Sequence, residues 1–137
     1  MKKIKLLVIA VGITAMASCS AVADKAVGTY SGSYAIDSTA TYPVSGTVVP
    51  GSISATKVSE KQVNLLLVCN APSINDASNG IMLTSSGDDI IFTYLNSTTT
   101  EFDMLSLNGT ISGNSITVNG VMYMASGSGV GVFTGTK

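Results

Sequence analysis

The chain contains no histidine and no tryptophan, and only 11% of its 137 residues are charged. Without histidine it lacks the commonest general base and the commonest metal ligand, and neither a Ser-His-Asp nor a Cys-His arrangement can be built. No catalytic residue, metal site or cofactor is therefore expected, and the chain reads as a non-enzyme. Positive charge is scarce and unclustered. Lys2, Lys3 and Lys5 crowd the first five positions, leaving four basic residues against eight acids, a balance of −4 for the remainder. No nucleic-acid partner is expected from so weak an electrostatic footprint.

What is present is apolar and small. Hydrophobic residues make up 45% of the chain, enough for one packed core, and the polar remainder is largely Ser, Thr, Asn and Gly. That mixture favours pleated strands joined by tight turns over long helices.

The amino-terminal segment reads differently from the rest. Three lysines precede an apolar stretch from Leu6 to Ala17, broken only by Gly12 and Thr14. A charged start, a short apolar middle and small residues before a cut describe a signal peptide over 1–18, too short for a comfortable membrane span. An uncleaved anchor helix is the alternative.

Met16-Ala17-Ser18-Cys19 resembles the lipobox of bacterial lipoproteins, in which small residues precede a cysteine that becomes the first mature residue and accepts a diacylglyceryl group. The resemblance implies a lipid on Cys19, with the membrane as partner through that anchor. Each buried methylene of an acyl chain adds about 0.8 kcal/mol to attachment. A conventional cut near Ala21 to Ala23, discarding Cys19, is the competing reading. Residues 19–27 then form a small, polar tether. Ser20 is not the acidic residue that holds enteric lipoproteins at the inner membrane, which points to the outer membrane or cell surface. Cys69, on the parity of Val63, Leu65 and Leu67, reads as a small core residue without a disulfide partner.

After Val27 strand signals recur every ten to fifteen residues. Ile53 to Cys69 forms a hairpin about the polar turn Ser59-Glu60-Lys61-Gln62. Gly113-Asn114 marks a second hairpin, in which Ile111 faces Ile116. Asn119-Gly120 reads either as another turn or as a point within one long strand; the long strand is preferred, because a turn there leaves very short strands. Asn70 to Gly80, with Pro72, Asn75, Asp76 and Asn79, reads as a long connection with room for one helical turn. Eight strands are expected, near 28–36, 44–57, 62–69, 80–84, 89–95, 102–112, 115–125 and 130–136. That number suits an all-β fold, either an antiparallel up-and-down barrel or a β-sandwich. Pairing of the first strand with the last would close a barrel and remove its exposed edges.

Gly28-Thr29-Tyr30-Ser31-Gly32, the hairpin from Thr56-Lys57-Val58 to Gln62-Val63-Asn64-Leu65, the run from Gly109 to Val118 and the ending Phe133-Thr134-Gly135-Thr136-Lys137 together resemble the small calycin-like, or lipocalin-like, lipoproteins of Bacteroides and related bacteria. The resemblance implies an eight-stranded barrel over 28–137 and a lipoprotein habit, and sets Tyr30 where lipocalins carry the tryptophan that plugs the barrel floor.

Three roles follow from these features. A lipocalin-like binder of a small apolar or amphipathic ligand would use Met82, Met104, Met122 and Met124, whose flexible side chains either line a cavity or complete the core. A structural or protein-interaction module of the envelope would have a filled core and work through its outer surface. An inhibitor of a secreted enzyme would present a rigid loop such as Asn70 to Gly80.

Overall fold

Strict alternation of apolar and polar residues along most of the chain yields a sheet with one buried face, and here that face curls until its edges meet. The computed structural model describes residues 20–36, 48–70, 73–95, 104–124 and 127–137. Cys19 and residues 1–18, expected as a signal peptide, lie outside the described residues. A one-turn helix, α1 (Val22–Ala26), precedes eight strands: β1 (Gly28–Ile36), β2 (Val48–Ser59), β3 (Gln62–Asn70), β4 (Ser73–Ser86), β5 (Asp89–Leu95), β6 (Met104–Ser112), β7 (Ser115–Met124) and β8 (Gly127–Thr136). Each strand pairs antiparallel with its sequence neighbour, and β8 pairs with β1, so the sheet is a closed up-and-down barrel. A sandwich is thereby excluded.

Both expected hairpins form, and the register expected at the second holds. Ser59 pairs with Gln62 across the turn Glu60-Lys61, and Ile111 pairs with Ile116 across Gly113-Asn114. Gly113 takes a φ of +56°, a conformation glycine adopts without a side-chain penalty. Asn119-Gly120 lies inside the continuous strand β7 and makes no turn.

Two regions depart from expectation. Most of 70–80 is strand and neither a connection nor a helical turn: β3 ends at Asn70, β4 resumes at Ser73, and Asn75, Ala77 and Ser78 are laddered to Val68, Leu66 and Leu65. The protruding inhibitory loop is removed with it. Turn-forming residues enter a strand here because β3 offers a full row of backbone groups, and leaving these unpaired inside a closed sheet would cost more than the poor strand propensity of Asn and Asp. The turn signal survives as a bulge. Asn79 and Gly80 both stand opposite Asn64, Gly80 takes a φ of +71°, and its N–H donates to Asn64 Oδ1 at 2.8 Å.

The second departure is the tether. Val22 to Ala26 is helical, and Ala23 and Ala26 are wholly buried against the barrel. Small side chains at i and i+3 put two methyl groups on one helix face, which lets the backbone approach the strand ends closely.

Candidate functional site

The barrel has two distinguishable ends. The tight turns at Glu60-Lys61, Gly87-Asp88 and Gly113-Asn114, the start of β1 and the end of β8 share one end, and α1 covers it. Ala23 N–H donates to Glu60 C=O at 3.0 Å, joining the helix to the β2–β3 turn. Tyr30, fully buried, donates its hydroxyl to Ala26 C=O at 2.8 Å. Lys137 closes the arrangement: its Nζ donates to the carbonyls of Lys25 and Val27, each at 2.8 Å, and lies 5.0 Å from the centre of the Tyr30 ring. A cation on the last carbonyls of a helix satisfies acceptors that have no partner within the helix. Burial draws the Lys137 pKa down. Outside, Lys57 and Asp24 form an ion pair at 2.5 Å.

Above this floor the interior is packed. Tyr30, Ile53, Val63, Ile81, Ile116 and Phe133 belong to one buried cluster with Tyr34, Leu67, Cys69 and Leu107. Burying each branched aliphatic side chain adds roughly 1.5–3 kcal/mol. The thiol of Cys69 is buried at the expected core position, and that burial raises its pKa, keeping it in the unreactive neutral form.

The four methionines named from the sequence do not converge as a single cavity lining. Met82 is 52% exposed, between buried Ile81 and Leu83, so it lies on the outer wall. Strand alternation counted back from Leu83 assigns it there, a parity that the irregular run before Gly80 conceals. Met104 and Met122 are cross-strand partners, and Met122 and Met124 pair with Gly129 and Gly127. All three lie towards the end opposite α1, and their side chains, like Cys19, fall outside the described residues.

Among the described residues, two surface crevices of about 350 Å³ are present. One, at the closed end, is lined by Asp24, Lys25, Asp88, Asn114 and Lys137 over Ile90 and Ile111. The other runs along the outside of β1, β7 and β8 and is lined by Ser31, Thr117, Thr134 and Thr136. Neither is lined by methionine or an aromatic ring. No group of three or more metal-ligating side chains occurs among the described residues. The interior is apolar and the described outer wall is rich in Ser, Thr and Asn, the reverse of a barrel that spans a membrane.

Sequence reasoning missed the floor: α1, the Tyr30–Ala26 hydrogen bond and the reach of Lys137. Its signals were the spacing of Ala23 and Ala26, with Asp24 early and Lys25 late in the same turn.

No protein-family model and no curated protein matches the chain. Among solved structures, a candidate outer membrane protein of Bacteroides fragilis superposes with a TM-score of 0.64 at 15% identity, covering 86% of this chain. This chain spans 53% of that protein's length. At such identity the likeness is one of fold, and the fold is that of the barrel described above.

Proposed function

We propose that the chain is a cell-envelope lipoprotein, cut before Cys19 and acylated there, whose barrel is a rigid module working through its outer surface. The observation that carries the reading is the packed interior from Tyr30 up to Leu107, which leaves the outside as the larger available surface. The lipobox-like run Met16-Ala17-Ser18-Cys19 supports the anchor, and the fold likeness to a candidate outer membrane protein supports the compartment. The absence of histidine and the neutral, buried thiol of Cys69 support a non-catalytic role.

Growth with labelled palmitate tests this. Label enters the wild-type chain and not Cys19→Ala; equal labelling of both, or none of either, ends the proposal. Cross-linking in intact envelopes then recovers a protein partner from the lipidated wild type.

A second reading, a small apolar ligand, is favoured by one observation: Met104 and Met122 are register partners on β6 and β7 at the end away from α1. Native mass spectrometry of the protein from its own host distinguishes the two, because a reproducible bound species appears only under the second.

A further inference from the structure

The link between the proposed lipid and the barrel is too short for the domain to tumble freely. Were residues 19–27 a flexible tether, nine residues would span up to about 30 Å at 3.3–3.6 Å each. Because α1 is docked on the barrel from Val22 onward, only Ser20 and Ala21 separate Cys19 from a fixed point. Three residue steps reach about 10 Å at most.

Charge is arranged along the same axis. Outside the leader the chain has four lysines, Lys25, Lys57, Lys61 and Lys137, and every one lies at the α1 end. Four of the eight acids, Asp24, Glu60, Asp88 and Asp89, sit there too, making that end neutral overall. The remaining four acids lie elsewhere in the sequence with no lysine among them. An anionic surface therefore tolerates the end where lysines balance the acids and repels the acid-only remainder.

We propose that the α1 end of the barrel lies directly against phospholipid headgroups, with Lys25 and Lys61 facing phosphate, and that the opposite end is held away from the bilayer. The proposal rests on acylation of Cys19 and adds to it a fixed orientation.

The absence of tryptophan makes the test clean. Single tryptophans are placed at the α1 end (Asn114→Trp, or Ser86→Trp should the first disturb its turn) and at the opposite end (Leu95→Trp or Val48→Trp, at positions 77% and 64% exposed). The lipidated proteins are reconstituted in vesicles of phosphatidylethanolamine and phosphatidylglycerol carrying a nitroxide-labelled headgroup lipid. Quenching is several-fold stronger for the α1-end variants. Equal quenching at both ends, or stronger quenching at Leu95→Trp, overturns the proposal. A second preparation, the chain beginning at Cys19 coupled through that thiol to a maleimide lipid, separates the two claims. If host-made protein lacks acyl chains, the anchor reading fails. If the coupled chain shows no difference between ends, the orientation fails by itself.

Discussion

Two walls of the barrel are built on different plans. On β3 and the later part of β4 the inward positions are Val63, Leu65, Leu67, Cys69, Ile81 and Leu83, and each strand fills its own share of the interior mostly with branched aliphatic side chains. Where β8 meets β1, inward positions alternate between glycine and large rings: Gly131, Phe133 and Gly135 on one strand, Tyr30, Gly32 and Tyr34 on the other. There the volume is shared between strands. A methyl group at Gly131 would land on the Tyr34 ring, and one at Gly135 would meet the Phe133 ring. Gly32 lies so near the β8 backbone at Thr134 and Gly135 that no side chain fits between. The aliphatic wall thus fails by losing volume and the glycine–aromatic wall also by gaining it.

The largest effect is expected from emptying the ring wall. Phe133→Ala uncovers Gly135 and leaves a void among Tyr34 and Val118, costing about 3–5 kcal/mol, against about 2–5 kcal/mol for Leu65→Ala on the aliphatic wall. Urea denaturation of both variants checks the order. A Phe133→Ala that is milder than Leu65→Ala would erase the distinction between the walls.

Adding volume sharpens it. Gly131→Ala is expected to destabilise by about 1–3 kcal/mol, although alanine is the better residue on unfolded-chain entropy. Gly131→Ala in a Tyr34→Leu background should cost less, because the ring that occupies the space is gone. A double-mutant cycle giving a coupling of about 0.5–3 kcal/mol supports the shared-volume description, and strict additivity contradicts it.

The aliphatic wall was legible in the sequence and the ring wall only in part, for the same physical reason. Val63, Leu65, Leu67 and Cys69 announce their inward parity by alternation with Asn64, so strand, face and register follow from the residues themselves. Glycine carries no hydropathy, so the strand expected over 130–136 falls short of its observed start: β8 begins at Gly127, and Tyr34 and Phe133 fill the space beside Gly131 and Gly135. The stretch from Ser73 to Gly80 shows closure overriding local preference: Asn75 and Asp76 favour turns in isolation and are laddered only because β3 needs a partner. Of the candidate residues, Cys69 was placed correctly as core, whereas Met82 was not, because the bulge at Asn79-Gly80 shifts the parity by one.

Titration supplies a smaller contrast. Burial raises the pKa of Cys69 and of Tyr30 alike. A raised acid pKa means that the unfolded chain ionises first. The stability each group supports is complete below its unfolded pKa and falls as pH rises towards the folded value, beginning near 8.5 for the thiol and near 10 for the phenol. Cys69→Ala should flatten the first part of an alkaline stability profile. Tyr30→Phe should flatten the second, while costing about 0.5–1.5 kcal/mol at neutral pH through loss of the hydrogen bond to Ala26. Loss of that bond should also hasten amide exchange at Val27, whose N–H closes α1 on Ala23. An unchanged exchange rate there would mean that Tyr30 does not hold the helix.

The smallest effect belongs to the outside of the same floor. The hydrogen bond and positive charge of Lys57 hold the Asp24 carboxyl below its ordinary pKa. A depressed carboxyl pKa has the opposite linkage to the buried acids: its contribution is present above the unfolded value, near 4, and disappears as pH falls through the folded value. Both partners are solvent-exposed, so the pair contributes little and salt screens it. Denaturation midpoints of wild type and Asp24→Asn should therefore differ slightly at neutral pH and low salt and converge both in acid and in high salt. A gap that persists unchanged at pH 2 would show that Asp24 holds α1 by something other than its charge, since the wild-type carboxyl would by then be losing the charge that attracts Lys57.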